Sequence, residues 1–289
     1  MTNKRHNSFW LLAIALLWLS VSCDKVEPPF KESTVTGGGP IDTTSAAVRR
    51  VLVEDFTGHT CGNCPRAAET AQSLKGLYGD QLVVIAEHIG FFAETKSNPD
   101  SSYSYDFTTT AGNEIDGYYN IDALGLPKGM VNRTEVNGTH ILSHAGWGTA
   151  VQALLDLPPD IEIKITNTYD AGTRVVTSTI ETEFLNSLPG TYNVVVYLTE
   201  DSIINWQKDY QATPSTDIEN YVHRHVLRGS LNGTWGDLVD PAPVISTIYT
   251  KSYDLTLDNT WDENHCSIVA FVYETTSKEV VQAEEAHVK

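Results

Sequence analysis

The chemistry this sequence declares most openly lies in Cys61-Gly62-Asn63-Cys64. Two thiols at this spacing can close a small disulfide ring, and strained or exposed pairs exchange more readily than structural ones. Pro65 follows and sets φ for a helix start. Ala67, Ala68, Ala71, Leu74 and Leu77 then recur at helical spacing. A cysteine at a helix N-terminus faces unsatisfied N–H groups and a partial positive charge, which favour the reactive thiolate. Three readings of the pair stand: a redox-active dithiol, a fixed disulfide in an exported protein, or a metal site. A zinc site would want a second pair of ligands, and the chain has no second Cys-x-x-Cys. No metal and no cofactor is assigned.

Other reactive types lie nearby in sequence or apart from it. His59, two residues before Cys61, is either an imidazolium that steadies a thiolate or a solvated loop histidine. Cys266 is in phase with Ile268, Ala270 and Val272 and reads as a buried apolar thiol. His223 and His225 fall within an expected strand, Tyr221–Arg228. There they would share one face about 7 Å apart. Lacking a third ligand, they read as a structural polar pair.

The elements that must position the dithiol follow from periodicity. Val48–Glu54 reads as a strand, Pro65–Tyr78 as a helix and Gln81–Ile89 as a second buried strand. Residues 91–107 are polar and loop-like. Thr109–Tyr119 is an expected helix, Lys128–Asn132 a strand and Leu142–Leu155 another helix, ending before Pro158-Pro159. From Asp160 the texture changes to period-2 alternation, beginning with Ile161, Ile163 and Ile165. Arg174–Phe184, Tyr192–Glu200, Tyr221–Arg228, Ser252–Leu257 and His265–Glu274 continue it, separated by turn residues. Strands without intervening helices imply a β-sandwich, immunoglobulin-like in architecture.

The strand–CxxC–helix–strand order resembles thioredoxin. Thioredoxins carry Asp-Phe six and five residues before the first cysteine, where this chain has Asp55-Phe56. They also carry a Gly-x-Pro with a cis proline facing the dithiol, and Gly125-Leu126-Pro127 before a strand matches it. The resemblance implies that Cys61 is the more exposed, attacking thiol and Cys64 the resolving one. It implies that Asp55 lies beneath the pair as proton acceptor and that Pro127 shapes a substrate groove. Thr60, Asn63 and Pro65 depart from thioredoxin, which has Trp, Pro and a basic residue at those places. Such changes alter the potential and the partner surface.

Over a longer span, VLVEDFTGHTCGNCP, GLPKGMVNR and YVHRHVLRGSLNGTWGD are similar to the Omp28-related outer-membrane lipoproteins of Bacteroidota. The resemblance runs from about Arg49 to the C-terminus. It implies a thioredoxin-like domain followed by a β-sandwich, attached to the outer membrane and facing either the periplasm or the outside. Adhesion is suggested for some members.

The N-terminus agrees with that placement. Lys4 and Arg5 precede an apolar run, Phe9–Leu19, too short to span a bilayer. Leu19-Ser20-Val21-Ser22-Cys23 looks like a bacterial lipobox with Cys23 as the lipidated residue. The expected organisation is therefore a signal peptide over 1–22, a flexible tether over 23–47, a thioredoxin-like α/β domain over 48–158 and an all-β immunoglobulin-like domain over 159–289.

Charge narrows the partners. The chain has 37 acidic against 19 basic residues and a formal charge of −18. That argues against nucleic acid and anionic membrane surfaces. The expected partners are the membrane through a lipid anchor and an envelope or extracellular protein. Two functional classes follow: thiol–disulfide exchange, or surface binding on a scaffold whose CxxC is a structural disulfide.

Overall fold

The structure, a computed structural model, describes residues 47–289. The expected signal peptide, Cys23 and the tether to residue 46 lie outside the described residues. No helix among the described residues is long and apolar enough to cross a membrane.

Strand β1 (Val51–Thr57) is buried along its whole length, although Glu54 and Asp55 interrupt its apolar run. Helix α1 (Cys64–Tyr78) follows, with Pro65 in its first turn and Gly79 at φ 56° ending it. Strand β2 (Leu82–His88) returns parallel to β1, with Val51 opposite Leu82 and Thr57 opposite His88. A one-turn helix α2 (Gly90–Ala93) and a loop lead to α3 (Thr110–Tyr119). Thr109 caps α3 by accepting from the N–H of Gly112 at 3.0 Å, as short polar N-caps do. Strand β3 (Lys128–Val131) pairs antiparallel with the other edge of β1, and α4 (His144–Leu155) follows. Trp147, Val151 and Leu154 of α4 bury against Ala67, Ala71, Val51 and Val53, closing one face of this unit.

The rest of the chain is nearly all strand: β4 (Ile161–Asp170), β5 (Val175–Phe184), β6 (Tyr192–Glu200), β7 (Ile203–Lys208), β8 (Asp217–His223), β9 (Val226–Ser230), β10 (Asp237–Leu238), β11 (Ile248–Thr256), β12 (Cys266–Glu274) and β13 (Val280–His287). The fold is thus mixed α/β and mostly β. Three strands, in the order β11-β5-β4, form a sheet of their own, and β7 pairs with β8 as a separate hairpin.

One large sheet spans the boundary expected at 158/159. Its order is β13-β12-β6-β9-β2-β1-β3, with β10 alongside β6. The junction between its halves is narrow: β2 meets β9 in parallel at Ala86 and Val226. The N–H of Ala86 donates to the carbonyl of His225 there at 2.7 Å. Packing widens the join. Leu52, Val83 and Ile85 share a core with Tyr197, Leu227, Val269 and Phe271. The described residues, 47–289, fall in one compact unit. The opposite face of β6 and β12 packs on the three-stranded sheet, through Val194, Val196 and Ile268 against Ile163, Val176 and Ile180.

Strand expectations held for most segments, but the stretch Tyr221–Arg228 is not one strand. It breaks between β8 and β9 at Arg224-His225, where His225 adopts φ 54°. His223 and His225 therefore do not stand on one strand face. Cys266 is buried in the core between the sheets, as its phase predicts. Burial and the nearby Glu200 carboxylate push its thiol up to about 12, so it is inert at neutral pH.

Candidate functional site around Cys61 and Cys64

The loop from Gly58 to Asn63 carries the chain from the buried end of β1 to the start of α1. It is pinned by short-range bonds: Cys61 N–H to the Gly58 carbonyl at 3.0 Å and Cys64 N–H to the Cys61 carbonyl at 3.2 Å. Thr60 anchors it sideways, with its N–H and hydroxyl both donating to the Phe92 carbonyl. The two cysteines are joined in a disulfide, with Cα atoms 5.4 Å apart. Cys64 is the first residue of α1, and no acid stands in that first turn to offset the helix dipole.

The β7–β8 hairpin covers this loop. Lys208 N–H donates to the His59 carbonyl at 2.8 Å, and Tyr210 N–H to the Gly62 carbonyl at 2.9 Å. The Gln207 amide donates to the Cys61 carbonyl at 3.1 Å. Arg66 of α1 donates to Asp209 at 2.6 Å. Under this cover Cys61 is 2% exposed and Cys64 1%. The exposure expected of Cys61 is thus corrected: residues about 150 positions downstream fold over it, a contact no local pattern encodes. Gly62 is required by the same contact. A Cβ at position 62 would sit 2.5 Å from the Tyr210 ring.

His59 is neither of the things expected of it. It is fully buried, its Nε2 lies 3.0 Å from the Glu94 carbonyl, and burial lowers its pKa. It therefore stays neutral and is neither an imidazolium nor a solvated loop residue. It belongs to a buried stack of rings: His59 packs on Tyr103 and Phe107, His88 stacks on Phe107 at 4.5 Å, and His223 packs on Phe107 and His88.

Asp55 lies on the face of β1 that α1 covers. It is 2% exposed, one carboxylate oxygen has no partner, and burial raises it to about 8. A carboxyl in that state is protonated at neutral pH and able to exchange a proton. Asp55 and Cys64 line one cleft of about 160 Å³, whose buried end also holds His88, Tyr221 and His223. Burial pushes His223 down to about 4 and His88 well below its ordinary value, so both imidazoles are neutral.

Pro127 follows a cis peptide bond, as the Gly-x-Pro resemblance implies. It lines an open groove of about 450 Å³ together with Asn63, Arg66, Lys128 and His144. The fold thus brings Asp55, the CxxC loop and Pro127 together. His225 lines the same cleft as Asp55 and Cys64, with the Asp201 carboxylate 3.2 Å from its Nδ1. His223 Nε2 stands 3.3 Å from the Trp206 carbonyl. No set of three metal-ligating side chains is gathered among the described residues.

Gln207, Tyr210 and His88, which belong to no motif, complete the site together with Tyr221, the first residue of the YVHRHVL segment. Of the first three only His88, a polar residue closing an apolar strand beside Glu87, left a trace in the sequence. On the other face of β1, Glu54 pairs with Arg133, both fully buried, through Arg133 Nε to Glu54 Oε2 at 2.9 Å. Glu87, unpartnered, is held protonated by burial and by Glu54.

Solved structures similar to this chain include the following three. HBP35 of Porphyromonas gingivalis aligns at TM-score 0.58 and 17% identity, covering 84% of this chain and 76% of that one. A protein from Agrobacterium tumefaciens aligns at TM-score 0.50 and 13% identity, over 85% of this chain and 97% of the other. A domain of the outer membrane lipoprotein Omp28 from Porphyromonas gingivalis aligns at TM-score 0.31 and 23% identity, over 46% of this chain and 93% of that domain. At these identities the first two likenesses establish a shared fold. No curated protein sequence matches the chain. The sequence profile of the family described as outer membrane protein Omp28 matches residues 115–289, more than half the chain. The chain belongs to the Omp28 family of outer membrane proteins, which places it in the cell envelope at the outer membrane.

Proposed function

We propose that this protein is an outer-membrane thiol–disulfide exchange module, held by a lipid on Cys23 and acting on an envelope or extracellular protein. The observation that carries the reading is the shared cleft of Cys64 and buried, unpartnered Asp55, behind a disulfide at the start of a helix. The parallel β1–α1–β2 unit and the place of Pro127 beside Asn63 support a thioredoxin-like identity for this part of the fold. The facing sheets of the second half support an immunoglobulin-like sandwich layer. In the reduced protein one thiolate attacks a partner disulfide and the other resolves the mixed disulfide. Asp55 exchanges the proton of Cys64, and Pro127 shapes the groove beside the loop. A Cys64→Ser variant is the test: it should accumulate a mixed disulfide through Cys61, identifiable by mass spectrometry. Insulin-reductase activity that survives Cys61→Ser, or is missing in the wild type, defeats the reading.

A second reading has its own observation, the burial of both sulfurs under the β7–β8 hairpin. On that reading the disulfide is structural and the protein is a surface binding or adhesion lipoprotein. A reduction potential below about −300 mV for Cys61–Cys64 would favour it.

A further inference from the structure

The two cysteines do not line the same surfaces. The hairpin closes over the Cys61 side of the loop, and the Tyr210 ring rests on Gly62. The open groove at Pro127 reaches Asn63 and the open hollow beside Phe91 reaches Thr60, but neither includes a cysteine in its lining. The cleft between α1 and the β8–β9 segment does: Cys64 forms part of its buried end. Its mouth is polar, with Glu69 and Arg224, both largely exposed. Its walls are small and apolar, Ala68 and Val222 among them. At its end Asp55 and His88 carry buried polar atoms without partners. Such a pocket, apolar-walled with a few convergent polar groups, is the form of a small-ligand site.

Its size limits what enters. The cleft offers about 160 Å³, and an engineered cavity of roughly 150 Å³ in another protein takes up benzene. Cysteine is of that order, whereas a tripeptide thiol or a protein segment is far larger. Charge agrees: Glu69, which also pairs with Arg66 at 3.1 Å, would meet the ammonium of an amino-acid thiol, and Arg224, 3.8 Å from Asp201, its carboxylate.

We infer that the cleft admits a low-molecular-weight thiol of cysteine size, which reduces the disulfide by attacking Cys64 rather than Cys61. The inference rests on the exchange reading above and names the reductant that loads the pair. The incoming thiolate sulfur bonds to Cys64 Sγ, the Cys61–Cys64 bond breaks, and Cys61 leaves as a thiolate. A second thiolate attacks the small-molecule sulfur of that mixed disulfide and releases Cys64. Two thiols are oxidised to one small disulfide, the protein pair gains two electrons, and the two protons given up by the thiols are taken up by Cys61 and Cys64. Asp55 stands in the cleft as the donor for Cys64.

The experiment incubates the oxidised full chain with cysteine, with glutathione and with a reduced protein dithiol, then alkylates and maps the products. Cysteine should reduce the pair at least about tenfold faster than glutathione at equal thiolate concentration, since thiolate fraction and access set such rates. Cys61→Ser challenged with methyl methanethiosulfonate, a disulfide-forming reagent no larger than cysteine, should carry the methylthio adduct on Cys64, at least about tenfold faster than Cys64→Ser carries it on Cys61. Ala68→Leu, which narrows the cleft, should slow cysteine more than it slows the protein dithiol. The wild-type size series needs no variant and decides the matter if a variant fails to fold. Equal rates for the two small thiols, or faster labelling of Cys61, overturn the inference. Reduction by the protein dithiol alone, with its adduct on Cys61, overturns it while leaving exchange intact. No reduction by any of the three defeats the exchange reading itself.

Discussion

The N–H of Tyr210 donates to the carbonyl of Gly62 at 2.9 Å, and the Tyr210 ring fills the space where any side chain at position 62 would stand. A residue in the middle of the CxxC is thereby locked to a hairpin tip far along the chain. The other face of that ring is open, since Tyr210 is 60% exposed.

Removing the ring should uncover the loop. Tyr210→Ala is expected to speed reduction of Cys61–Cys64 by a protein dithiol by about tenfold, through better access. Gly62→Ala should act from the other side and destabilise the fold by about 1–3 kcal/mol, because backbone and ring must both shift. Alkylation kinetics and denaturant unfolding measure the two. A Tyr210→Ala rate equal to wild type would show that the hairpin does not limit access.

Asp55 makes stability depend on pH. Its carboxyl is raised to about 8 by burial, while the unfolded chain holds an aspartate near about 4. The folded state therefore binds the extra proton between those values. Its contribution is fully present below about pH 4 and is lost as pH rises through 8. Asp55→Asn should remove this loss: its melting temperature should match wild type near pH 4 and exceed it at pH 8. The gain there should be about 1–3 kcal/mol, because the neutral amide has no charge to bury as pH rises. The same variant should slow thiol exchange, which distinguishes a proton carrier from a merely costly carboxyl.

The imidazole stack acts in the opposite direction. His59, His88 and His223 are lowered by burial, and His88 also by His223, His59 and Arg228. Lys96 further lowers His59 while Asp106 opposes it. Groups held neutral in the fold but protonated when unfolded cost stability as pH falls below about 6.5. Stability should drop toward pH 4 with uptake of more than one proton on unfolding, and His223→Gln should lower that uptake by about one. Melting curves across pH 4–7 give the number directly, and an unchanged slope in His223→Gln would contradict the assignment.

Glu54 and Arg133 are both fully buried, and Arg133 also lies over Phe271 at 5.1 Å. Arg133→Met strands the carboxylate among apolar neighbours and should cost about 3–5 kcal/mol in urea unfolding. Adding Glu54→Gln should recover part of the loss, because the stranded charge is then gone.

Much of this molecule was legible from local pattern. Cys61 and Cys64, Pro65 and the small residues after them mark a pair of thiols at a helix start, because their spacing and the helix entry are decided within a few residues. Asp55-Phe56 and Gly125-Leu126-Pro127 marked the acid and the proline, and the alternation after Asp160 marked strands. Three things depended on the tertiary fold. The exposure of Cys61 is decided by the β7–β8 hairpin, where Gln207 on β7 and Tyr210 in the connecting turn have no periodic signal. The protonation of His59, His88 and Asp55 is decided by burial, which composition does not report. The expected boundary after residue 158 is crossed by a single sheet, because β2 offers an edge that β9 fills. Which thiols are present is a property of sequence; which of them a reagent can reach, and with what proton beside it, is a property of packing.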